Sequence, residues 1–196
     1  MHVINQYNFK ILKTIARESE VDKCKLLAIT AIKNANARGA KSNFNDNEPK
    51  EKMMGYLTEY MFDVAMQMEG IPGKWLMDCS GKSDDGVDWK HSTGYKIDVK
   101  SMSVKTAPPG YYSCLVLKSS ADKHPPDMYV FVKYNHETRE CYITGGMPAE
   151  ELFKKARIQE KGEWDGKFKA SKDCYTIKQN QTWDYARVCE FLKTLK

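Results

Sequence analysis

Along the chain, apolar and polar positions follow two rhythms, one of period two and one close to 3.6. Residues 84–101 read D-D-G-V-D-W-K-H-S-T-G-Y-K-I-D-V-K-S. Alternation on both sides of Ser92-Thr93-Gly94 predicts two short strands joined by a turn. Val87, Trp89, Tyr95, Ile97 and Val99 then form an apolar face. Asp88 falls on the first strand, and Asp98 and Lys100, two residues apart, share the polar face of the second. A three-residue turn with Gly94 at positive φ would set His91 against Tyr95, Lys90 against Lys96, Trp89 against Ile97 and Asp88 against Asp98. A two-residue turn or a bulge would change those pairs. Opposed Cβ atoms lie about 4.5–5.5 Å apart, so two carboxylates held there repel unless a hard divalent cation sits between them.

The helical rhythm appears first over residues 18–36, through Val21, Cys24, Lys25, Ala28 and Ile32, after a mixed stretch at 1–16. It returns over 52–68, where Met53, Leu57, Tyr60, Met61, Val64 and Met68 make one stripe and Phe62 and Met66 a second. Glu59 lies beside the second stripe, one turn after Gly55. A glycine inside a helix implies close packing there, so Glu59 is expected to be partly buried and to need a partner. From the helix alone, a metal ligand and an ordinary lysine or backbone contact are equally good readings. Residues 39–49 and 103–110 read as loops, and 74–79 as an extra strand before the hairpin. Further strands are expected over 112–118, 128–134, 140–143 and 174–177, with helices over 148–157 and 183–195.

Composition narrows the function classes. With 196 residues and no repeat or linker, one domain is the default, comprising residues 1–50 as an N-terminal helical extension and 51–196 as the core. A net charge of +5 suits an anionic partner without proving one. The six cysteines are scattered without a C-x-x-C pair, which argues against zinc and for a reduced, cytoplasmic setting. No signal peptide or membrane-length apolar run is visible. Two basic stretches are candidates for phosphate contact: Lys10 to Arg38, and 155–173, where Trp164 and Phe168 interleave with lysines. For each, a solvated surface is the plainer alternative. Asp84-Asp85-Gly86 lacks the remaining ligands of a calcium loop.

D-G-V-D followed nine residues later by I-D-V-K-S resembles the signature of the PD-(D/E)xK, or restriction-endonuclease-like, nucleases, with Val87 where the proline usually stands. Gly55-Tyr56-Leu57-Thr58-Glu59 resembles the G-x-x-x-E helix that carries the superfamily's extra acid. The later strands are similar to those of small phage-type members, and the resemblance spans about 53–177. It implies an α/β fold with a mixed sheet flanked by helices, and Mg²⁺- or Mn²⁺-dependent hydrolysis of DNA, most simply as an endonuclease. Asp88 and Asp98 would hold the metal, with the Val99 carbonyl and Glu59 as further oxygen ligands. Lys100 would orient the attacking water. Strand parity places Asp85 away from Asp88, so Asp88 is taken as the first acid; His91 is assigned a structural or substrate-contacting role. An exonuclease, an RNA-directed enzyme and a non-catalytic binding protein stay open as alternatives, as does a homodimer. A host-cell cytoplasm is the expected location if the chain is phage-encoded.

Overall fold

The computed structural model describes residues 1–6, 9–39, 49–79, 86–165 and 168–196. Most of the loop expected over 39–49, together with Asp84, Asp85 and Lys167, lies outside the described residues. In chain order the elements are β1 (His2–Gln6), β2 (Phe9–Ile15), α1 (Glu18–Ala37), α2 (Pro49–Met68), β3 (Gly73–Trp75), β4 (Trp89–His91), β5 (Lys96–Ser103) and β6 (Ser113–Leu117). There follow α3 (Lys118–Ala121), β7 (Met128–Tyr134), β8 (Glu140–Pro148), α4 (Ala149–Lys155), β9 (Arg157–Gln159), β10 (Trp164–Asp165), β11 (Phe168–Lys169), β12 (Cys174–Lys178) and α5 (Tyr185–Thr194).

Seven strands form one mixed sheet in the order β1-β2-β8-β7-β5-β4-β3. Only β5 and β7 run parallel, with Asp98 beside Tyr129 and Lys100 beside Phe131; every other neighbouring pair is antiparallel. The two faces of this sheet are covered differently. Ile97, Val99, Val130 and Val132 pack against Phe62 and Met66 of α2 and Val188 and Leu192 of α5. Tyr129, Phe131 and Met147 face the other way, against Leu152 of α4 and a second, three-stranded sheet, β6-β12-β9, through Cys114, Val116 and Ile177. The chain is therefore α/β with a mixed sheet flanked by helices, and strand parity sends Asp98 and Lys100 to the side of the small sheet.

Helix α2 is buried on two sides. Leu57 and Met61 pack on Val21, Cys24 and Ala28 of α1, while Phe62 and Met66 pack on the sheet, which accounts for the two stripes. Met68, assigned to a stripe, is exposed at the helix end.

Two expectations are corrected. The first third of the expected helical extension is the hairpin β1–β2, which joins the sheet by pairing Leu12 with Ile143. Adjacent Ile11 and Leu12 point to opposite faces and both are buried, so no period-two signal survives. Strand β8 also runs past 143 to Pro148, through Gly145 and Gly146. Gly145 has φ +138°, and a Cβ there would lie 2.0 Å from the Trp183 carbonyl oxygen. The glycine pair ends nothing; it lets the chain before α5 lie against the strand, where Gly146 and Trp183 exchange two backbone hydrogen bonds of 3.0 and 2.9 Å.

Candidate active site

The β4–β5 turn has the expected form. His91 N–H donates to the Tyr95 carbonyl and Gly94 N–H to the His91 carbonyl, both at 2.9 Å, with Gly94 at φ +99°. Trp89 pairs with Ile97 and Lys90 with Lys96. His91 is buried, its Nδ1 held by the Thr93 hydroxyl at 2.8 Å, and burial lowers its pKa. Its contacts serve the turn.

The expected ladder pair of Asp88 with Asp98 does not form, because the strand leaves the ladder at Asp88. Its N–H bonds to the Ile97 carbonyl at 2.9 Å, and its carboxylate Oδ2 takes the Val99 N–H at 2.7 Å. A side chain thus replaces the backbone acceptor that a longer β4 would have supplied. The swap draws the Asp88 carboxylate to the open edge of β5, the edge that also carries the Val99 carbonyl.

Asp98 is 4% exposed, and its Oδ2 lies 2.6 Å from the Lys100 ammonium. That ammonium also stands 5.9 Å from the centre of the Tyr129 ring. Burial first, and the Asp98 charge second, push the Tyr129 hydroxyl pKa well above its usual range, so it remains a neutral donor. Behind the carboxylate, Gly86 at φ +70° passes so close that a Cβ would stand 3.8 Å from Asp98 Oδ2 and 3.4 Å from the His124 carbonyl. Asp88, Asp98 and Lys100 are thus gathered where β4 parts from β5. Carboxylate and carbonyl oxygens are the donors that a hard divalent cation takes, and in that sense the set fits Mg²⁺ or Mn²⁺.

Glu59 is placed differently. Its Oε2 accepts from the Trp75 indole at 2.9 Å, on the α2 side of the sheet, whereas Asp98 and Lys100 stand on the opposite side. Gly55 faces this carboxylate, 3.8 Å from where its own Cβ would be. Among the described residues, no group of three His, Cys, Asp or Glu side chains is placed to hold a metal ion.

One buried acid escaped the sequence reading. Asp63, a turn beyond Glu59, accepts from the Trp89 indole at 2.8 Å, the Trp75 backbone at 3.1 Å and Gln67 at 2.6 Å. It ties α2 to both β3 and β4 and so fixes the strand that begins directly after Asp88. Its signal was a lone Asp in the apolar run Y-M-F-D-V-A-M. No protein-family model matches the chain, and no curated protein matches it either.

Proposed function

We propose that this protein is a metal-dependent nuclease of the PD-(D/E)xK type that hydrolyses phosphodiester bonds in DNA, cutting internally. The observation that carries the reading is the meeting of Asp98 with Lys100 at 2.6 Å beside an Asp88 carboxylate anchored on Val99 N–H. The order of helix, antiparallel strands bearing the motif, crossover and parallel strand supports a restriction-endonuclease-like core.

In this reading Asp88, Asp98 and the Val99 carbonyl would hold Mg²⁺ or Mn²⁺, while Glu59, engaged by the Trp75 indole on the other side of the sheet, takes no part. Such an ion lowers the pKa of bound water and offsets charge building on the phosphate. The Lys100 ammonium, kept at the site by Asp98, has three donors to share between carboxylate, attacking water and a phosphate oxygen. The anchored Asp88 keeps the edge of β5 open where a ladder would otherwise close it.

The test is incubation with supercoiled, linear and single-stranded DNA, with and without Mg²⁺ or Mn²⁺. Metal-dependent nicking of the supercoiled circle is the expected result; degradation of linear DNA alone would mean an exonuclease. A second reading, a non-catalytic charge cluster, is favoured by the closed Asp98–Lys100 ion pair, which satisfies both charges internally. It predicts no heat on titration with Mn²⁺ and no cleavage of any of the three substrates.

A further inference from the structure

The sheet register places three lysines side by side. Lys74 on β3 pairs directly with Lys90 on β4, and Lys90 with Lys96 on β5. All three are exposed, and none has an ion-pair partner among the described residues. Asp127, beside Lys96, spends its Oδ2 on the Lys96 backbone N–H at 2.7 Å. Like charges directly opposed across strands destabilise a sheet, each pair bringing its Cβ atoms to about 4.5–5.5 Å. Lysine on an edge strand discourages sheet-to-sheet pairing, which accounts for Lys74 on β3. It does not account for Lys90, whose strand is covered on both sides and whose two neighbours are lysines.

The row also has a position. By strand parity Lys96 shares its face with Asp98 and Lys100, and two residues along a strand span about 7 Å. Beside the row, Lys74, Lys90, His91 and Ser92 line a surface hollow of about 320 Å³. We infer that Lys74, Lys90 and Lys96 form a phosphate-binding ladder that holds the nucleic-acid backbone one step from the Asp98–Lys100 centre. This rests on the nuclease reading for the identity of the polyanion. A polyanion crossing the strands neutralises the row, which is the compensation that such a register lacks among the described residues. The contacts are to backbone, so the ladder adds affinity without sequence preference.

Binding without metal, in chelator, tests the ladder separately from cleavage. A labelled duplex and a single-stranded oligonucleotide of the same sequence are titrated at several salt concentrations. For Lys74→Ala/Lys90→Ala/Lys96→Ala, the slope of log K against log salt should shrink by about 2.7 on duplex or about 2.1 on single strands if all three lysines engage phosphates. A control removing the same charge at the other end of the sheet, Lys50→Ala/Lys52→Ala/Lys105→Ala, should leave the slope unchanged. Thermal melting of the ladder variant should be equal to or above wild type, since a repulsion is relieved; the single variant Lys90→Gln, with a slope change of about one unit, serves should the triple variant misfold. An unchanged slope in a folded ladder variant, an equal loss in the control, or a wild type that binds neither oligonucleotide overturns the proposal. A protein that binds through the ladder yet never cleaves with Mg²⁺ or Mn²⁺ would overturn the nuclease reading and leave the ladder standing.

Discussion

Lys100 meets Asp98 with 30% of its side chain still open to solvent, so its ammonium can reach both the carboxylate and an incoming phosphate. Lys100→Ala should lower single-turnover cleavage by roughly 10²–10⁴-fold, the usual worth of a positioned proton-handling group. Mn²⁺ binding, measured by calorimetry, should persist; cleavage within a few-fold of wild type would contradict the assignment. Asp88 has a second duty, because its carboxylate accepts the Val99 N–H. Asp88→Asn keeps an acceptor oxygen for that bond while removing the charge. The variant should fold with a near-native melting temperature and lose metal-dependent cleavage; retained cleavage would place the first acid elsewhere. The turn and the shared face of Asp98 and Lys100 were legible from the sequence because strand parity and a short turn are local properties. The displacement of Asp88 from its ladder pair was not, since it depends on which acceptor the Val99 N–H finds. Glu59 was legible as a partly buried acid needing a partner, but sequence spacing does not say on which side of a sheet a helix lies.

At the scale of elements, Asp63 is the joint between α2 and the strands β3 and β4. Removing it strands a buried indole N–H and a backbone N–H, and a buried donor without a partner costs about 1–3 kcal/mol. Asp63→Ala should therefore lower the unfolding free energy by on the order of 3 kcal/mol, read from urea denaturation, and cleavage should fall with it as β4 loosens. A loss under about 1 kcal/mol, the worth of a single ordinary hydrogen bond, would show that the joint is held by apolar packing alone. Strand β7 was readable to the residue although both its faces are covered, because its apolar run M-Y-V-F-V-K-Y is nearly unbroken. Strand β2, also buried on both faces, was not: Ile11 and Leu12 break its alternation, and Lys10 and Lys13 interrupt the run. The end of β8 was hidden because its glycines looked like a turn, while their role is to admit the Trp183 backbone.

Across the whole molecule, five of the six cysteines are buried, and only Cys79 is partly exposed. Burial pushes the Cys24 and Cys189 thiols from their usual 9.0 to about 11, and raises that of Cys141 as well. A thiol reagent should modify Cys79 readily in the native protein and all six only in denaturant; several fast thiols in the native state would contradict this burial. Because the folded state holds these protons more tightly, the associated stability is complete below about pH 9 and is lost as pH climbs through about 11. Urea midpoints should be level up to about pH 9 and fall between there and 11; a rise across that window would contradict the assignment. No helix among the described residues is long and apolar enough to cross a membrane. The sheet order carries one more consequence, for synthesis. Leu12 pairs with Ile143, so the hairpin β1–β2 leaves the ribosome long before the strand it leans on exists. The motif strands β3, β4 and β5, by contrast, are neighbours in the chain and emerge together. A nascent chain can assemble β3, β4 and β5 first and must keep its other edge waiting, its Ile11 and Leu12 uncovered, until β8 arrives to close the sheet.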